Sequence, residues 1–354
     1  MYNTLLPGGL GNAKTFDASR RGLRWLKAVQ NADGSWGTPT NAFMVTGLVA
    51  LSYLYMEEMP DDSPEFGDTV MGAVNYLIQE CGMDDNSQDE VGRAIVTAVM
   101  CEIYSKVWNP NVKAFAEIGL RDIISRQVSV NNGFRGNDTT AYDRLVASGW
   151  NIIALETGLK AKLLSASDEL LHAMDGTWAQ FNASSNIVPQ IPPLWYGVAP
   201  DNATSFSRYS KDMKASAWND EFGPQLLFLM TWNAFRKGGD YWKHWFDSLW
   251  PSVVFAQFAT PSDEPGVKCG CPVCKSGIFG KGLNIPYRRS DGRSVQIGHW
   301  VGHDTDADSI IIDTCLAILE LTMSFHQFHY TFRIDEVPLP DLSTTNDVDV
   351  DFGI

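Results

Sequence analysis

Two clusters in the last third of this 354-residue chain hold residue types that can do chemistry. Cys269, Cys271 and Cys274 bring three thiols close together on a stretch loosened by Gly270 and Pro272. Thiolates spaced in this way can converge on one tetrahedral ion, with His299 or His303 as a fourth ligand. The expectation is a structural zinc that staples a loop of about 50 residues. The spacing is not a pair of Cys-x-x-Cys units, so a disulfide between two of the three, or free thiols, stands beside it as an alternative. The second cluster is acidic: Asp304, Asp306 and Asp308 alternate, and Asp313 follows. Alternate carboxylates can chelate a hard cation such as calcium, but the EF-hand positions for Gly and Glu hold Ser309 and Cys315. Acids just ahead of Ile310 also suit a helix N-terminus, as a cap and as partners of its dipole. The candidate catalytic residues are therefore Asp304, Asp306, Asp308 and Asp313, the first three against a capping alternative.

Helices must position these residues. Leu23, Leu26 and Val29, flanked by Trp25, put an apolar stripe on one helix face. Gln30 closes that helix, Asn31-Ala-Asp-Gly34 is turn chemistry, and Trp36 follows as an apolar plug before a new apolar segment, 42–55. The unit recurs. A helix over 68–80 pairs with one over 91–104. Ile118 to Gln127 repeats the spacing of Gly22 to Gln30 and leads to a helix over 146–158. A fourth hairpin starts near Ser167, is broken by a Pro-, Asn- and Ser-rich insertion at 182–216, and returns over 222–236. The fifth begins after Gly238, its first helix ends at Gln257, and a second insertion, 258–308, precedes an apolar helix over 310–323. No stretch alternates long enough to build a sheet, so the fold class is all-α. Residues 1–18 read as an arm, 19–333 as one array, and 334–354 as a tail. Both insertions fall between the helices of single hairpins, at the same end of the array, which favours a closed ring over an open solenoid.

Composition narrows the function. The formal net charge is -15, of which the tail supplies -6 through Asp335, Glu336, Asp341, Asp347, Asp349 and Asp351 with no Lys or Arg. That balance argues against nucleic acid and anionic lipid as partners. No apolar run reaches the ~20 residues of a membrane span, and the N-terminus lacks a secretory pattern, so a cytoplasmic location is expected, a trimmed signal aside. Twelve Trp and eighteen Phe suit an aromatic core or an apolar cavity. Cys81, Cys101 and Cys315 sit in apolar helical surroundings as small core residues. His172 and His244 read as surface or core histidines. Lys281, Arg288, Arg289 and Arg293 form the main basic patch, read as a solvated loop.

Gly22-Leu-Arg-Trp-Leu with Gln30-Asn-Ala-Asp-Gly-Ser-Trp36 resembles the Gln-Trp repeat of squalene–hopene cyclases and related prenyltransferase/squalene-oxidase repeat proteins. Ala94 to Tyr104, Val146 to Leu155, Gly238 to Trp245 and Asp313 to Leu321 are similar to further segments of that group. The resemblance spans roughly residues 19–330 and implies an α/α toroid of five to six hairpins. Class II cyclases of the group carry Asp-x-Asp-Asp before Thr-Ala; here the register is Ile310-Ile-Ile-Asp313-Thr-Cys315, so the protonating acid is missing. Asp313 and Cys315, with His326 and His329 downstream, are similar to the zinc ligands of protein prenyltransferases, but both His lie too near in sequence. The resemblance therefore implies a toroid without the usual acid: a binding or assembly module with an apolar cavity or a protein-docking rim. Its ligand would be an apolar or isoprenoid-like molecule, its partner another protein or a second copy. The alternative is an enzyme acting on an isoprenoid-like substrate through a displaced acid or metal site near 304–315.

Overall fold

A computed structural model describes residues 13–80, 89–126, 141–167, 170–171, 173–174, 223–237, 239–259, 287–288, 294–302 and 304–323. The fold is all-α. Among the described residues the helices are α1 (Ala13–Ala28), α2 (Ala42–Tyr55), α3 (Gly67–Glu80), α4 (Glu90–Lys106), α5 (Pro110–Ser125), α6 (Ala141–Lys160), α7 (Gly223–Lys237), α8 (Gly239–Ala256) and α9 (Ala307–Thr322). Two short ribbons join them: β1 (Phe258–Ala259) pairs antiparallel with β4 (Gly298–His299), and β2 (Tyr287–Arg288) with β3 (Ser294–Val295). The first helix starts at Ala13, inside the expected arm, because Thr15 and Ala18 are buried and extend its apolar face. The first twelve residues, the insertion at 182–216, most of the second insertion and the tail lie outside the described residues.

The helices fall into two sets. Helices α2 and α4 pack together, as do α4 and α6, α6 and α7, α7 and α9, and α9 and α2. Close contacts fix their directions. Gly92 and Gly47 of α4 and α2 meet Met44 and Val96 respectively, so the two run parallel. Glu90 and Glu102 of α4 pair with Asn151 and Lys160 of α6, again in the same order. Gly149 and Glu156 of α6 meet Leu229 and Trp232 of α7. Asn41 and Ser52 meet Asp308 and Cys315. All five helices thus point the same way. Their partners run opposite: Thr97 of α4 meets Gly119 of α5, while Arg93 pairs with Asp122.

The Gln-Trp unit is visible as hydrogen bonds. Trp36 donates from its indole to the Leu26 carbonyl at 2.7 Å and from its backbone to Thr46 Oγ1 at 2.9 Å. Gln30 donates to the Gly34 carbonyl at 2.9 Å and to the Thr69 carbonyl of α3 at 3.1 Å. Gly34 makes this turn possible with a φ of +91° beside the Gly72 carbonyl, where any Cβ would collide. The last hairpin repeats the wiring. Trp300 donates to the Val253 carbonyl at 2.6 Å and to Thr314 Oγ1 at 3.1 Å, and Gln257 donates to the Ala18 carbonyl of α1 at 2.8 Å. As Gln30 ties the first hairpin to the next, Gln257 ties the last hairpin to the first. The sequence hid this copy, because the residues between Gln257 and Trp300 separate its two halves.

Candidate functional site

Five parallel helices give the bundle two unlike ends. At the N-terminal end the partial charge is positive, and the acid cluster lies there. Asp304 is exposed. Asp306 caps α9, accepting from the Ser309 backbone at 3.0 Å and from its hydroxyl at 2.5 Å; the Ser309 hydrogen bonds hold its pKa below the usual value. Asp308 is buried and accepts from Thr38 N at 2.8 Å, Thr38 Oγ1 at 2.6 Å and Asn41 Nδ2 at 2.8 Å. It joins the last helix to the start of the second. Asp313 is also buried, and one oxygen accepts from Gly302 N at 2.6 Å. Three of the four acids therefore have structural partners, and the first two face solvent.

Of the metal candidates, Cys269, Cys271, Cys274 and His303 lie outside the described residues, as do Cys81, His326 and His329. His299 is 1% exposed, its ring stacked 5.0 Å from Trp25 and 5.9 Å from Phe258, where it seats β4 on α1. Among the described residues no three His, Cys, Asp or Glu side chains converge as a metal site. Cys101 and Cys315 are buried free thiols whose pKa burial pushes far up, so they are inert core residues.

The C-terminal end is different. At roughly 100° per residue, side chains two or five apart on a helix lie on roughly opposite faces. Ile318 of α9 presses on Gly22 of α1, so Glu320 turns to the far face. Tyr53 of α2 donates to the Leu23 carbonyl of α1, so Tyr55 turns away likewise. The same argument carries Glu102, five beyond Thr97, away from α5, and Glu156, two before Gly158, away from Leu120. These residues are linked across the bundle. Lys160 pairs with Glu102 at 3.2 Å and Lys106 with the same carboxylate at 3.7 Å. Trp232 Nε1 donates to Glu156 at 3.1 Å, and its ring lies 6.3 Å from Tyr55. Burial lowers the Lys160 pKa, against the opposing pull of Glu102.

Glu320 stands apart. It is 0% exposed, and neither carboxyl oxygen has a hydrogen-bond partner among the described residues. Burial first, then the charge of Asp313, pushes its pKa well above the usual carboxylate range, which favours the neutral acid. The centre between the ends is apolar and filled: Leu48, Leu51, Val99 and Leu316 are 0–2% exposed. Sequence reasoning passed over Glu102, Glu156, Lys160 and Glu320. The signal was present, since α4 and α9 are apolar almost all round, and an acid inside such a helix must be buried.

No family model, curated protein or solved structure was found to match the chain. No helix among the described residues is long and apolar enough to cross a membrane.

Proposed function

We propose that this chain is an α/α toroid serving as a binding module, with α2, α4, α6, α7 and α9 as its inner helices. The packing order and shared direction of those helices support this reading, as does the repeated Gln–Trp wiring of the first and last hairpins. A small organic ligand occupies the polar, aromatic end where the inner helices terminate. The observation that carries the reading is Glu320, a buried acid with no hydrogen-bond partner among the described residues. Native proteins rarely leave such a group unsatisfied.

The catalytic alternative, conversion of an isoprenoid-like substrate by an acid near 304–315, has weaker support. Asp306 and Asp308 are occupied as a cap and a stitch, and apolar side chains fill the middle of the bundle. A zinc held by Cys269, Cys271, Cys274 and His299 or His303 is retained as a structural proposal for the second insertion.

Native mass spectrometry of the protein purified from its source tests both. A releasable organic adduct on each chain, and about one zinc, are expected. A bare chain mass would contradict the binding module and the zinc staple together. A bound isoprenoid accompanied by its converted product would establish the enzyme instead.

A further inference from the structure

We propose that the C-terminal end of the helix bundle binds a small organic ammonium ion, with Glu320 as its counter-ion and the rings of Trp232 and Tyr55 as the adjoining wall. This rests on the binding-module reading and names the ligand's head group. Four observations favour a cation. First, five helices end together here, and the C-terminal end of each helix dipole carries partial negative charge. Second, the acids of this end are Glu102, Glu156 and Glu320, against the cations Lys106 and Lys160, both of which lie on Glu102. Third, the oxygens of Glu320 have no donor among the described residues, and a buried carboxyl in that position is strongly disfavoured. An ammonium group supplies the N–H donors, and its positive charge favours loss of the proton that Glu320 otherwise keeps, so that the bound pair is ammonium and carboxylate.

Fourth, the site has an aromatic wall. Trp232 is 3% exposed and Tyr55 2%, and aromatic faces attract ammonium groups. The side chains of Lys106 and Lys160 keep 22% and 14% exposure, so the outer edge of this end reaches solvent while Glu320 lies buried beneath it. A metal ion fits less well. It would require several oxygen ligands, and no three ligating side chains converge among the described residues. An ammonium group needs only one carboxyl and a ring face.

The test is calorimetric titration of the full chain with n-hexylamine and with 1-hexanol as its uncharged match. The amine should bind at least about tenfold more tightly than the alcohol, a difference typical of a charged hydrogen bond. Glu320→Gln should remove that preference, bringing the amine's affinity to about that of the alcohol. Lys160→Met, which takes a competing cation from Glu102, should tighten the amine several-fold, an outcome misfolding cannot mimic. Equal binding of amine and alcohol would overturn the ammonium site and leave the binding module standing. Binding of neither would overturn both.

Discussion

At the scale of single residues, the contrast between Asp308 and Glu320 matters most. Both are buried acids on α9. Asp308 accepts three hydrogen bonds from Thr38 and Asn41, so its charge is compensated. Glu320 has no hydrogen bond among the described residues, and burial, then the charge of Asp313, pushes its pKa well above the usual carboxylate range. That difference has a pH signature. In the unfolded chain Glu320 loses its proton near 4.5, whereas in the folded protein it keeps it to higher pH. Its favourable contribution is complete below the unfolded value and is lost as pH rises toward the folded one, because there the unfolded chain alone has shed the proton. Glu320→Gln should therefore match the parent's melting temperature at pH 4 and exceed it increasingly between pH 5 and 8. A constant difference across that range would show that Glu320 is ionised in the folded state.

At the scale of elements, the hairpins were legible where sequence-local forces decide them. The expected helix at 42–55 is α2 to the residue, and the Gln30 to Trp36 turn forms from residues that set it locally. The last Gln–Trp unit was not legible. Its Gln257 and Trp300 are separated by an insertion, and only the tertiary bonds to Ala18, Val253 and Thr314 reveal their equivalence to Gln30 and Trp36. The polar end was illegible for a similar reason: helix-face spacing places Glu102 and Lys160 inward, but not opposite each other. Trp300 should behave as a core anchor even though it borders a long insertion. Trp300→Ala should cost about 3–5 kcal/mol in denaturant unfolding, and Gln257→Ala about 1–2 kcal/mol through its bonds to Arg21 and Ala18. A loss for Trp300→Ala within about 0.5 kcal/mol, as at an ordinary surface position, would mean the insertion is hinged rather than anchored.

At the scale of the whole molecule, direction explains the distribution of charge. With the inner helices parallel, acids such as Asp89 and Asp306 cap their starts, and Lys106 and Lys160 stand in their last turns. These caps and lysines sit where the helix dipoles favour them, whereas Glu102, Glu156 and Glu320 sit against the dipoles. The acid cluster that looked catalytic in sequence belongs to this arrangement and to chain closure, and the unpartnered acid lies at the opposite end. The resemblance to Gln-Trp repeat proteins rested on local units, which foretold the all-α class. The joining of the two ends depends on contacts between residues about 270 apart, beyond the reach of any local pattern.

The proposed toroid requires that the first and last hairpins join into a ring. A double-mutant cycle across that junction, Thr38→Val with Asp308→Asn, tests it most directly by chemical denaturation of the four proteins. The ring predicts a coupling energy of about 1–3 kcal/mol, because each change removes a hydrogen bond the other shares. Additive effects, within about 0.5 kcal/mol, would mean that the two ends do not meet and would contradict the ring.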